Sequence, residues 1–199
     1  MKSLFGIFFI FSLLGLSIKI YANIPIKDLP RVIYGMDNRE EIFESSDSLL
    51  RELSRSTAIK IPVENLIQEN GDDGKIYYRL KAKNFMDSVG VCDFEKYATQ
   101  PTIIPSCSGF LVGKDLLVTA GHCIYSNADC KEQKWVFGYS NTTHVKEDFV
   151  FSADQIYGCK EIKARVKSEK SLIDYAVIKL NRFVKNIKPL KYRKKGKIK

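Results

Sequence analysis

The chain has 199 residues, 45% of them hydrophobic and 28% charged, with five cysteines and a formal net charge of +9. That charge is not spread evenly: Lys2 and Lys19 carry two units and the acid-free stretch Lys185 to Lys199 carries eight, which leaves residues 23–184 at −1. A near-neutral body argues against a nucleic-acid-binding surface on the folded part, and cysteines without a Cys-x-x-Cys pair argue against a metal centre.

Leu4 to Ile18, 15 residues after Lys2, has the length of an export signal's apolar core and falls short of a membrane span. Residues 1–22 are expected to be a signal peptide ending at Ala22, with a retained anchor as the competing reading. No second span follows, so the mature chain is expected to be secreted or periplasmic. Its 177 residues suit one ordinary domain with its own core. Residues 23–31 form a short basic junction, a short propeptide if the chain is cleaved after Arg31. Ser46 to Leu53 is expected to be a helix capped by Ser46 or Asp47, with Leu49, Leu50 and Leu53 on one face. Thr57 to Ile61 and Ile76 to Leu80 are expected strands, with the Gly71-Asp72-Asp73-Gly74 turn between them. Phe110 to Val112 and Leu116 to Ala120 form an expected hairpin across Gly113-Lys114-Asp115. Trp135 to Tyr139, Phe149 to Phe151, Gln155 to Tyr157 and Leu172 to Leu180 complete the strands, the last with Ala176, Ile178 and Leu180 on one face. Many short strands with few helices predict an all-β fold, an antiparallel barrel or sandwich. His144, in the polar Thr142-Thr143-His144 stretch, is expected in an exposed loop, where Asn141-Thr142-Thr143 also forms a glycosylation sequon.

The run Cys107 to Cys123, CSGFLVGKDLLVTAGHC, sets His122 between the small-residue turn Thr119-Ala120-Gly121 and a cysteine. A histidine used as a general base must be held in one tautomer at the edge of a rigid scaffold, with a carboxylate on its far nitrogen. This run resembles the histidine motif of chymotrypsin-like serine proteases, and Asp174-Tyr-Ala-Val-Ile-Lys-Leu180 resembles the strand whose aspartate orients that histidine. The resemblance implies the first of that family's two β-barrels, over residues 32–190. It implies serine-type peptide-bond hydrolysis of protein or peptide substrates, without cofactor or metal, with His122 as general base and Asp174 as its orienter, both expected to face solvent here because they lie where the family's second barrel would cover them. It also implies disulfides between Cys107 and Cys123 and between Cys130 and Cys159, leaving Cys92 without a partner within the chain.

Arg31-Val32-Ile33-Tyr34-Gly35 resembles an activation site at which cleavage after Arg31 frees the amine of Val32; an ordinary surface arginine is the competing reading. Val32 to Arg39 resembles the mature start of bacterial glutamyl-endopeptidase-type enzymes. Lys188-Pro189-Leu190 resembles the connector between the family's two barrels, with residues 191–199 as its interrupted basic end. Where the family carries a Gly-Asp-Ser-Gly-Gly turn after the aspartate, residues 175–199 contain no serine. The expectation is a truncated protease domain, inactive by itself and lacking the second barrel. Two alternatives stand beside it: a secreted, non-catalytic binding or regulatory module on the same fold, and a basic peripheral surface-binding protein acting through the tail around Tyr192.

Overall fold

Alternating inward side chains close a sheet on itself in a computed structural model, which describes residues 36–104, 106–140, 149–193 and 195–196. The expected signal peptide, the junction, Arg31, Val32, Asn141 and His144 lie outside the described residues. The chain divides into two units, residues 1–39 and 40–199. Of the first, the described part shows Arg39 paired with Asp37 at 2.8 Å. All the regular elements among the described residues belong to the second.

In chain order the elements are α1 (Ser48–Ser54), β1 (Thr57–Pro62), β2 (Leu66–Asn70), β3 (Ile76–Leu80), β4 (Lys83–Asn84), α2 (Phe85–Val89), β5 (Pro101–Thr102), β6 (Cys107–Leu111), β7 (Leu116–Thr119), α3 (Asn127–Glu132), β8 (Gln133–Phe137), β9 (Val150–Ser152), β10 (Ile156–Ser168) and β11 (Ile173–Leu180). Six strands form a closed antiparallel barrel in the order β1-β6-β7-β11-β10-β8, and β2-β3-β9 make a separate three-stranded sheet. Closure leaves those six strands without a free edge.

Inward residues fill the barrel: Ala58, Leu111, Leu117, Trp135, Phe137, Tyr157, Ile178 and Leu180 form one buried cluster. The expectation that Ala176, Ile178 and Leu180 share a buried face holds, all three being at most 1% exposed. Trp135 fits because Gly109 faces it; a Cβ on that glycine would stand 2.3 Å from Leu117 Cδ2 and 2.8 Å from the indole. In β8 Trp135, Val136 and Phe137 are all buried, against simple alternation. The reason is a second core outside the barrel, where Val136 meets Ile61, Leu80, Ile103 and Phe151 beneath the small sheet.

Several elements differ from expectation. The Gly71–Gly74 turn joins β3 to β2, not to β1, whose neighbours are β6 and β8. The strand expected over Trp135 to Tyr139 ends at Phe137, because Gly138 adopts φ +79°. Gln155 to Tyr157 proves to be the start of a 13-residue strand, β10, bent by register shifts at Cys159/Glu161 and Ile162/Ala164. α1 is capped as expected, the Asp47 carboxylate accepting from the N–H groups of Leu49 and Leu50. Its leucine face, however, is uncovered: Leu49, Leu50 and Leu53 are all exposed.

The segment after β11 straps the barrel. Val184 N–H donates to Lys114 O and Leu190 N–H to Leu111 O, each at 2.8 Å. The buried Ser56 hydroxyl donates to Lys188 O at 2.7 Å. Disulfides join Cys107 to Cys123 and Cys130 to Cys159, with Cα separations of 6.0 and 5.3 Å, while Cys92 is an exposed free thiol. Closing the 16-residue separation is worth about 3 kcal/mol in the chain-entropy treatment. No described helix is long and apolar enough to cross a membrane.

Candidate active site

At the end of β7 the inward Thr119 is buried, and its hydroxyl donates to Ser108 O at 2.8 Å, fixing the point where strand gives way to turn. Ala120 is extended, and Gly121–Cys123 make a single 3₁₀ turn. Glycine is required first in that turn. A Cβ on Gly121 would lie 2.2 Å from Val166 O and 2.9 Å from Asp174 Oδ1, so only bare backbone can approach β10 and β11 this closely. The disulfide to Cys107 then holds Cys123, the residue after His122.

Asp174 reaches the same place from β11. Its side chain has the inward parity of Ala176 and Ile178. Ala176 pairs with Thr119, the last residue of β7, so Asp174 lies beyond the packed interior, at the rim where the histidine turn begins. Both carboxylate oxygens are engaged by one residue: Oδ1 accepts from the His122 backbone N–H at 2.9 Å and Oδ2 meets His122 Nδ1 at 2.6 Å. The ring hydrogen bond is the chief reason that the Asp174 carboxyl is held below the ordinary carboxylate value. The N–H groups of His122 and Gly121 and the imidazole's own charge act the same way, and partial desolvation opposes them. An ionised carboxylate can only accept, so Nδ1 carries the proton and the neutral ring keeps the lone pair on Nε2. Among the described residues nothing is bonded to Nε2.

The turn's carbonyls, which a single turn cannot satisfy by itself, are taken by two cations. Arg165 on β10 donates its Nε–H to Gly121 O at 2.8 Å and also to Ile124 O. Lys60 on β1 donates to Cys123 O at 2.7 Å. The guanidinium of Arg165 also lies 5.7 Å from the centre of the Tyr125 ring, within cation–π range. Neither cation was legible as a site residue, because each sits in a strand with no motif around it.

The structure thus brings His122 and Asp174 together with the Cys107–Cys123 disulfide, whereas Cys130 and Cys159 tie α3 to β10 elsewhere on the barrel. The pair faces solvent, the Asp174 side chain being 37% exposed and that of His122 52% exposed. Two grooves of about 560 and 570 Å³ on the described surface are lined by neither residue. Ligand atoms of Cys107, His122 and Cys123 fall within 4.8 Å of one another, but sulfurs joined in a disulfide offer no thiolate and the group does not suit a metal ion.

A proton held on Nδ1 by a fixed carboxylate, with a free lone pair on Nε2, is an arrangement able to take a proton from a hydroxyl placed beside it. A family model described as Trypsin matches residues 96–198, just over half of the chain. Neither the comparison with curated proteins nor that with solved structures gives a match.

Proposed function

The chain belongs to the trypsin family and has its serine-protease-like fold, and we propose that it supplies the acid–base half of a serine endopeptidase site. His122 acts as general base and Asp174 as the group that orients it. The observation that carries this reading is the two-point hold of His122 by Asp174, at 2.9 Å on the backbone N–H and 2.6 Å on the ring. In acyl transfer the imidazole takes the proton of an attacking hydroxyl on Nε2 and later returns it to the leaving amine, while Asp174 stabilises the imidazolium formed between these steps. The nucleophile must come from outside residues 175–199, which hold no serine, threonine or cysteine. Protein or peptide chains are the proposed substrates.

The openness of the His122–Asp174 pair, with side chains 52% and 37% exposed, also suits a second reading, a non-catalytic binding or regulatory module on this fold. Both readings place the chain outside the cytoplasm, where two structural disulfides persist. The test uses residues 23–199 with a serine-directed fluorophosphonate and with peptide and ester substrates. The expected result is no labelling and no turnover above background. Stoichiometric labelling that disappears in His122→Ala would show a nucleophile within the chain and overturn the proposed division of labour.

A further inference from the structure

We propose that Arg165 is a positioning residue for the His122 imidazole, acting through hydrogen bonds from its Nε–H to the carbonyls on either side of the histidine turn. The role rests on the reading of His122 and Asp174 given above and adds a residue from a different strand.

Three observations carry it. First, Gly121 O and Ile124 O bracket the His122–Cys123 pair, and one side chain engages both. A group that pins the chain on both sides of a residue restrains that residue's backbone direction, and therefore where its ring points. Second, Arg165 reaches the turn because it lies opposite Ala176, two residues along β11 from Asp174, with the same inward parity. The strand pair that presents the carboxylate therefore also presents the donor that holds the histidine, and the two ends of the Nδ1–Oδ2 bond share one support. Third, the guanidinium rests against Tyr125 and is half-buried, so its Nε is aimed and not free to wander. Lys60, by contrast, holds only Cys123 O and only from β1. Without Arg165 the Gly121 and Ile124 carbonyls lose their described side-chain donor. The turn then gains freedom to swing the imidazole off a carboxylate that is itself partly open to water.

The test separates hydrogen bonding from charge by side-chain length. Methionine matches arginine out to the Nε position without a donor. Glutamine places an N–H at that position without a charge. Residues 23–199 labelled with ¹⁵N-histidine are compared as the unsubstituted chain, Arg165→Met, Arg165→Gln and Asp174→Asn, with His122→Ala used to assign the signals against His144. Trp135 emission and disulfide mapping report whether the barrel is intact.

The unsubstituted chain is expected to show the Nδ1–H tautomer of His122 and a low-field ring proton. Arg165→Met is expected to lose the low-field proton and to shift the tautomer ratio by about fivefold, the change that one hydrogen bond's worth of free energy commands. Arg165→Gln is expected to restore both. An intact Arg165→Met chain with the parent's signature overturns the proposal. So does an intact Arg165→Gln chain that has lost that signature, and this arm decides the matter even if Arg165→Met does not fold. If Asp174→Asn leaves the tautomer unchanged, the His122–Asp174 reading itself fails, which is distinguishable from failure of the Arg165 role.

Discussion

Gly121 lies against Val166 so closely that a Cβ built on the glycine would stand 2.2 Å from the valine's carbonyl oxygen. The obstructing atom belongs to the backbone of β10, so rotation of a side chain cannot relieve the clash. Gly121→Ala is therefore expected to push the histidine turn away from β10 and β11, at a cost of about 1–3 kcal/mol. Urea unfolding followed by Trp135 emission measures that cost. An unchanged midpoint would show that the turn has slack the structure does not reveal.

Leu172 provides the opposite case. It sits at φ +54° in the tight turn between β10 and β11, and it is 87% exposed. A leucine there bears the left-handed steric penalty and gains no packing in return. Leu172→Gly is expected to raise stability, by under about 1 kcal/mol once glycine's larger unfolded-state entropy is set against the relief. A clear loss of stability would mean that the leucine side chain packs against something.

The depressed Asp174 carboxyl makes a directional pH prediction. Its folded-state value lies below the ordinary 3.8, so the unfolded chain takes up this proton first as acid is added. The stabilisation is fully present above 3.8 and is lost as pH falls through the lower folded value. Glu69, Asp73 and Glu161 are depressed by their own cationic partners and contribute an acid sensitivity of the same sign. Subtracting the stability curve of Asp174→Asn from that of the unsubstituted chain isolates the site. The difference should shrink as pH falls below 3.8; a difference that grows with acid in that range would reverse the assignment.

The β6–β7 hairpin, β11 and the His122–Asp174 pair were legible because each combines a local pattern with a short-range constraint: apolar alternation, a glycine turn, or a motif cysteine. β10 was not, since Lys160, Lys163, Arg165 and Lys167 interrupt its apolar alternation and two bulges break its period. Arg165 hides among those lysines, and nothing but its inward parity opposite Ala176 sets it apart. The leucines of α1 show the limit of periodicity, which gives a face but not whether anything covers it. The openness of Asp174 was foreseeable only from the family's two-barrel arrangement, because shielding depends on what packs over a strand's end and that is not written in the strand.

The cysteines give a chemical test of the barrel's register. Non-reducing peptide mapping should recover Cys107 with Cys123 and Cys130 with Cys159. Cys92, free and exposed, should react with a maleimide in the native state. Recovery of Cys92 joined to Cys107 would contradict the strand pairing that brings His122 to Asp174.

The outer face of the barrel beside the site leads to the last prediction. Residues with outward parity follow from the register: Phe110 faces Val118, Val118 faces Val177, Val177 faces Ala164, and Tyr175 faces Val166. Ile173 extends the row along β11. None of these side chains joins either buried cluster, and Phe110, Ile173 and Tyr175 are each at least 40% exposed. An apolar sheet face of this kind binds hydrophobic dyes and promotes association when nothing covers it. Residues 23–199 are therefore expected to bind ANS in the native state and to self-associate as concentration rises, with the effect persisting after removal of the basic stretch from Lys191 onward. Two charges placed on the face, Phe110→Glu with Val177→Lys, should suppress both behaviours without disturbing Trp135, whose side chain lies on the other side of the sheet. A chain that stays monodisperse at high concentration and binds no dye would show the face to be covered and overturn the prediction.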